Sequence, residues 1–232
     1  MELTDEIRNY TVIKALPFEL MKTSEEYYVL GVLKYCNPIQ FGNLHKSEAP
    51  DLQDREGFLG IEITNALSQQ DRQISGESLK YLHAKTETER ERALKRIWMN
   101  GGDYNGFCTS YPLGTAEKDK KNVQKAYSSK IEKLKRYREK CSIVGLVIII
   151  DIPLFCWEES KWANLLPKKN EDNYDFVILS YWSGIDVYDM KTDKYNRYEI
   201  GRKDMDALKR LGRMTAEGII KEDDPIWQVN NN

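Results

Sequence analysis

Residues 143–150, Ile-Val-Gly-Leu-Val-Ile-Ile-Ile, are apolar at every position apart from one glycine, and no other stretch limits the fold so strongly. A strand with one face in water alternates apolar and polar residues, whereas a continuous apolar run belongs to a strand covered on both faces. The run is about eight residues long, a strand's length, against the roughly twenty needed to cross a bilayer. Phe176-Val-Ile-Leu repeats the pattern and residues 185–188 continue it. Helical spacing predicts helices over 23–36, 76–99, 119–140 and 204–217. Doubly covered strands interspersed with such helices specify an α/β fold, with a central sheet flanked by helices.

At 232 residues the chain can bury roughly 70% or more of its extended surface in a single core. The expected organisation is an N-terminal segment, 1–22, a core domain, 23–190, and a helical extension packed on the core, 191–232. A short strand is expected over 10–15, before Pro17. Thr23-Ser24-Glu25-Glu26 has the form of a capping box, followed by Val29, Leu30, Leu33 and Cys36 at helical spacing, and Asn37-Pro38 ends the helix. Residues 100–115 hold four glycines and a proline and read as a loop.

Several function classes lack their signatures. Cys36, Cys108, Cys141 and Cys156 are too widely spaced for a zinc site, which needs ligands clustered in a loop or a helical turn. Acids stand where an export signal would carry its basic residues, so a cytoplasmic protein with free thiols and no membrane span is expected. No P-loop, Gly-x-Ser-x-Gly elbow or dinucleotide-binding glycine series is present. The formal charge is −2, so binding to a polyanion requires a local basic patch.

Pro50-Asp51-Leu-Gln-Asp, then Arg55-Glu56-Gly57, then Phe58-Leu-Gly-Ile-Glu62-Ile-Thr64 reads as a β-hairpin with Gly57 in its turn. Such a hairpin can carry Asp51 and Glu62 to the same end of the sheet. Two convergent carboxylates repel each other and favour a hard cation between them. Pro50-Asp51 followed by Glu62-Ile63-Thr64 resembles the PD-(D/E)xK motif of the restriction-endonuclease-like nucleases. The order helix, hairpin, helix, two further strands also resembles the core of that family. The resemblance covers about residues 23–190 and implies a mixed central sheet flanked by helices.

In that family the two acids hold the metal, and a lysine two positions after the second helps activate water. Here Thr64 stands at the lysine position, and a threonine cannot replace an ammonium group. Three explanations stand open. The lysine comes from elsewhere, Thr64 positions water in a weaker enzyme, or the site binds without cutting. Lys130 suits the first, since it falls inside the apolar stripe of Val123, Tyr127, Ile131, Leu134 and Tyr137; the alternative is snorkelling to solvent. Glu26, on the apolar stripe of the first long helix, is either the last residue of the capping box or a third acid at the metal.

Residues 118–140 carry ten Lys or Arg against three acids. Phosphate neutralisation needs such a cluster, although a solvated helix face looks the same. Lys121, Lys125, Lys133 and Arg136 are the candidate nucleic-acid contacts. Tyr104, Phe107 and Tyr111 offer stacking surfaces or fold back onto the body, His45 is a phosphate contact or a surface-loop residue, and Asp151 is a cleft edge or a turn. The resemblance implies a Mg2+- or Mn2+-dependent nuclease acting on DNA in restriction, phage defence or a mobile element. Its catalytic residues would be Asp51, Glu62, Thr64 and Lys130, with Asp51, Glu62 and Glu26 as metal ligands. A homodimer is open to it. The alternative is a non-catalytic nucleic-acid-binding or interaction protein on a degenerate nuclease scaffold.

Overall fold

The computed structural model describes residues 1–12, 14–104, 109–110, 116–150, 164, 166 and 173–228. In chain order the elements are α1 (Asp5–Asn9), α2 (Met21–Cys36), α3 (Pro38–Phe41), β1 (Leu44–Lys46), β2 (Leu52–Asp54) and β3 (Leu59–Asn65). Next come α4 (Gln69–His83), α5 (Glu87–Met99), β4 (Asp103–Tyr104), β5 (Thr109–Ser110) and α6 (Ala116–Arg138). The second half holds β6 (Ile143–Ile149), β7 (Phe176–Tyr181), β8 (Gly184–Asp189), β9 (Lys194–Glu199) and α7 (Arg202–Ala216).

Seven strands form one mixed sheet in the order β1-β2-β3-β6-β7-β8-β9. The β3–β6 and β6–β7 pairs are parallel and the others antiparallel. As its uniform apolarity requires, β6 lies between two parallel neighbours. Its Val144, Leu146 and Ile148 pack with Val123, Tyr127, Leu134 and Tyr137 of α6. Val147 turns to the opposite face, where α2 and α7 lie with Ile61, Ile178 and Ile185 of the sheet. Gly145 interrupts the run because the Phe176 ring of β7 fills the space a Cβ would take.

The first long helix begins at Met21 rather than Thr23, and no side chain caps its N-terminus. The capping-box reading of Glu26 therefore fails: the residue lies inside the helix and is 4% exposed. Capping boxes form instead at Ser68 with Asp71 and at Thr86 with Glu89, which divide the expected single helix over 76–99 into α4 and α5. These two helices enclose a small core of their own from Ile74, Ile97 and Tyr104. Among the described residues of 10–15 no strand forms, and the first element of the chain is the helix α1.

The C-terminal segment begins with a strand, β9, and its helix completes the main core. Met205, Leu208, Leu211 and Met214 of α7 are buried against α2, as is Trp227 beyond it. The two helices approach so closely at Gly212 that an added Cβ would stand 2.7 Å from the Ser24 carbonyl oxygen and from the Tyr28 nitrogen. β9 escapes an apolar-pattern reading because it is an edge strand of sequence Lys-Tyr-Asn-Arg-Tyr-Glu, largely in contact with solvent. Charged edges of this kind discourage pairing with other chains. Among the described residues no helix is long and apolar enough to cross a membrane.

Candidate functional site

The β2–β3 turn sets the geometry. Asp54 accepts the backbone N–H groups of Phe58 (2.8 Å) and Leu59 (3.1 Å). Gly57 takes a left-handed φ of 71°, and an added Cβ there would meet the Lys140 carbonyl oxygen at 2.9 Å. This closure fixes Leu52 opposite Ile61 and Gln53 opposite Gly60. Continued by one residue, the register sets Asp51 opposite Glu62, where side chains share a face. Asp51 is held further by the Ile63 N–H, which donates to its Oδ2 at 2.8 Å.

Along β3, Leu59, Ile61 and Ile63 enter the core under α2 and α7. Strand alternation leaves Gly60, Glu62 and Thr64 facing α6. Glu62 is 2% exposed. Its Oε1 lies 2.5 Å from Lys130 Nζ and 3.4 Å from Lys133 Nζ, and its Oε2 accepts the Tyr137 hydroxyl at 2.6 Å. These partners stand three and seven residues beyond Lys130, the spacing of one helix face. Lys130 thus pairs with a buried acid and does not merely snorkel to solvent.

Burial works against charge on Glu62, yet the hydrogen bonds of Lys130 and Tyr137 and the charges of Lys130 and Lys133 hold its carboxyl below the ordinary range. Asp51 is pushed the other way, first by burial and then by the charge of Glu62, against the Ile63 N–H and Lys22. The two acids therefore share one electrostatic environment with divergent tendencies. The Tyr137 hydroxyl is raised well above its usual value by burial and by its bond to Glu62.

On the open side, Lys22 Nζ lies 3.0 Å from Glu26 Oε1 and 3.3 Å from Asp51 Oδ1. Lys46 reaches the other oxygen of Glu26 at 3.2 Å. A cleft of about 360 Å3 joins these groups, lined by Lys22, Glu26, Asp51, Thr64, Arg72 and Lys130 among others. Thr64 and Lys130 thus face the same space, with an ammonium group in the cleft that position 64 borders. Among the described residues no three His, Cys, Asp or Glu groups converge as a metal cage. Glu26 is tied down by two lysines, Lys22 and Lys46, beside Asp51. Asp51 and Glu62 still suit Mg2+, which is commonly held by one or two carboxylates plus water and substrate phosphate. An oxygen of each, Asp51 Oδ1 and Glu62 Oε1, already faces positive charge.

Of the helix candidates, Lys133 touches the site, while Lys121, Lys125 and Arg136 are exposed on α6 and pair with no acid among the described residues. Tyr104 folds back, its ring 4.7 Å from that of Tyr81. Phe107, Tyr111 and Asp151 lie outside the described residues. His45 is in strand β1, not a surface loop, and lines a different and larger cleft of about 710 Å3 with Lys34, Arg55 and Trp227. Size does not single out that cleft, whose walls mix both charge signs and bring no pair of buried carboxylates together.

Lys22, Lys46, Arg72 and Tyr137 went unrecognised as site residues in the sequence. The signal for Lys22 was its position four residues before Glu26, and that for Tyr137 was its position seven beyond Lys130. No family model, curated protein or solved structure matches this chain.

Proposed function

We propose that this protein is a divalent-metal-dependent nuclease that hydrolyses phosphodiester bonds of DNA, on a restriction-endonuclease-like scaffold with its catalytic lysine moved from the strand to a helix. The observation that carries this reading is the ion pair of Lys130 of α6 with the buried Glu62, together with the cleft that Lys130 lines beside Asp51 and Thr64. The topology supports it: a helix, an antiparallel β1–β2–β3 unit, a crossover through α6, and β6 and β7 parallel to β3.

Asp51 and Glu62 would hold Mg2+, which when bound supplies Lewis-acid stabilisation of charge on the phosphate and makes water more acidic. Lys130, which pairs with Glu62 and lines the cleft, would offer its ammonium group to the attacking water or to the phosphate oxygens. Thr64 presents a neutral hydroxyl to the same space. Tyr137 keeps Glu62 oriented from the core side. Lys121, Lys125 and Arg136 neutralise substrate phosphates along the exposed face of α6, which suits a chain of little net charge.

The test incubates the full chain with supercoiled plasmid and labelled single- and double-stranded DNA, with Mg2+ or Mn2+ and with chelator. Cleavage is expected only with metal, and a drop of about 100-fold or more is expected in Asp51→Ala, Glu62→Gln and Lys130→Met. DNA binding without cleavage would replace this reading with that of a binding protein on a degenerate scaffold. Cleavage indifferent to all three substitutions would reject the site.

A further inference from the structure

Beside the reaction cleft, at the C-terminal ends of the parallel strands β6 and β7, lies a second cavity of about 300 Å3. Its walls come from Ile149 at the end of β6 and Ile150 just after it, Ser180 and Tyr181 of β7, Trp182 of the following turn, and Tyr28 of α2. Glu25 lines both cavities and makes the wall between them, fixed by the Asn65 side-chain amide of β3 at 2.9 Å. The second cavity therefore opens one side chain away from the cleft of Asp51 and Lys130.

Three features give this cavity a chemical bias. Much of its lining is aromatic and aliphatic, and Trp182 is 42% exposed. It contains a polar group that finds no partner among the described residues, since Ser180 is 1% exposed and its Oγ makes no hydrogen bond there. It carries one charge of each sign, Glu25 on the wall shared with the cleft, held by Asn65, and Lys209 of α7, whose Nζ lies 6.0 Å from the Tyr28 ring centre. A flat apolar ligand with polar edges, attached to a phosphate, matches all three. Base stacking on aromatic side chains supplies affinity of this kind in single-strand binding.

We infer that this cavity receives one unpaired nucleobase of the substrate strand, stacked against Trp182 and Tyr28, with Ser180 meeting a polar edge of the base and Lys209 the adjoining phosphate. The inference rests on the nuclease reading above and deepens it: the preferred substrate has an unstacked nucleotide next to the cleaved bond, because a base within a duplex cannot enter. A cavity of about 300 Å3 lies at the small end of ligand sites and has room for one base.

The test measures binding of the full chain, in Mg2+, to a fluorescently labelled single-stranded phosphorothioate oligonucleotide that resists cleavage. A single abasic position is moved along the strand. One position is expected to weaken binding about 10-fold, and Trp182→Ala is expected to weaken the intact oligonucleotide similarly while removing the penalty at that position. The melting temperature of Trp182→Ala is measured alongside; if it falls, the abasic scan on the unaltered chain decides alone. Tight binding indifferent to every abasic position would overturn the base site and leave the nuclease reading intact. Failure to bind any of the oligonucleotides would remove both.

Discussion

Replacing Lys130 by methionine isolates the contact that distinguishes this site. Methionine keeps most of the volume and removes the ammonium group 2.5 Å from Glu62 Oε1. Stripping one partner from a fully buried ion pair costs roughly 3–5 kcal/mol, because the other charge is left without compensation. Here the Lys130 side chain is 20% exposed, and Lys133 at 3.4 Å and the Tyr137 hydroxyl at 2.6 Å remain. The expected loss is thus about 2 kcal/mol. For a chain of this size that is roughly 4–8 °C in melting temperature, readable by circular dichroism or calorimetry at pH 7.

The pH dependence follows from the direction of the Glu62 shift. A carboxyl held below its ordinary value of 4.5 stabilises the fold above that pH, and the stabilisation is lost as pH falls through the depressed folded value. The gap between the unaltered chain and Lys130→Met should therefore be widest at pH 7 and close below about pH 4.5. Adding Glu62→Gln to Lys130→Met should recover several degrees, since the amide carries no charge to leave unpaired. Equal melting temperatures at pH 7, or a gap unchanged down to pH 4, would refute the reasoning.

The opposite shift at Asp51 makes Asp51→Asn a stabilising change at neutral pH, by about 3 °C, in a protein expected to have lost cleavage. A carboxyl raised by burial and by Glu62 disfavours the fold once ionised. The gain should therefore shrink as pH falls through the raised value and vanish below the ordinary 3.8. Trp227→Ala should lower stability by about 3–5 kcal/mol, seen as a large fall in the urea midpoint. Its side chain is 2% exposed, its ring lies 5.8 Å from that of Tyr27, and its carbonyl accepts the Lys34 ammonium at 2.9 Å. Changing Lys121, Lys125 and Arg136 together to glutamine should reduce the slope of log affinity against log salt by about 0.7–0.9 per residue, measured by anisotropy titration with labelled DNA. An unchanged slope would place the substrate away from this face of α6.

Where packing alone decides, the sequence was readable. The run at β6 needed apolar cover on both faces and has it, and Gly57 marked the turn that sets Asp51 opposite Glu62. Lys130 stood out because a lysine in an apolar stripe must find water or a counter-charge. Other features were hidden by competing signals. Thr23-Ser24-Glu25-Glu26 has the spacing of a capping box, but tertiary contacts along α2 carry the helix back to Met21 and bury Glu26 beside Lys22 and Lys46. The α4–α5 boundary has no glycine or proline to mark it, and its one local signal is the Thr86–Glu89 capping box. β9 has no apolar signature because one of its edges faces solvent. Lys22 and Arg72 could not be assigned to the cleft, since only the folded chain sets their helices beside β3.

The most direct measurement is a Mn2+ titration of the full chain followed by electron paramagnetic resonance, with a cleavage-resistant oligonucleotide present. The expected result is a bound-ion signal in the unaltered protein that disappears in Asp51→Ala and in Glu62→Gln. A signal that never forms, or that persists unchanged in both variants, would contradict the grip of these two carboxylates on a divalent ion.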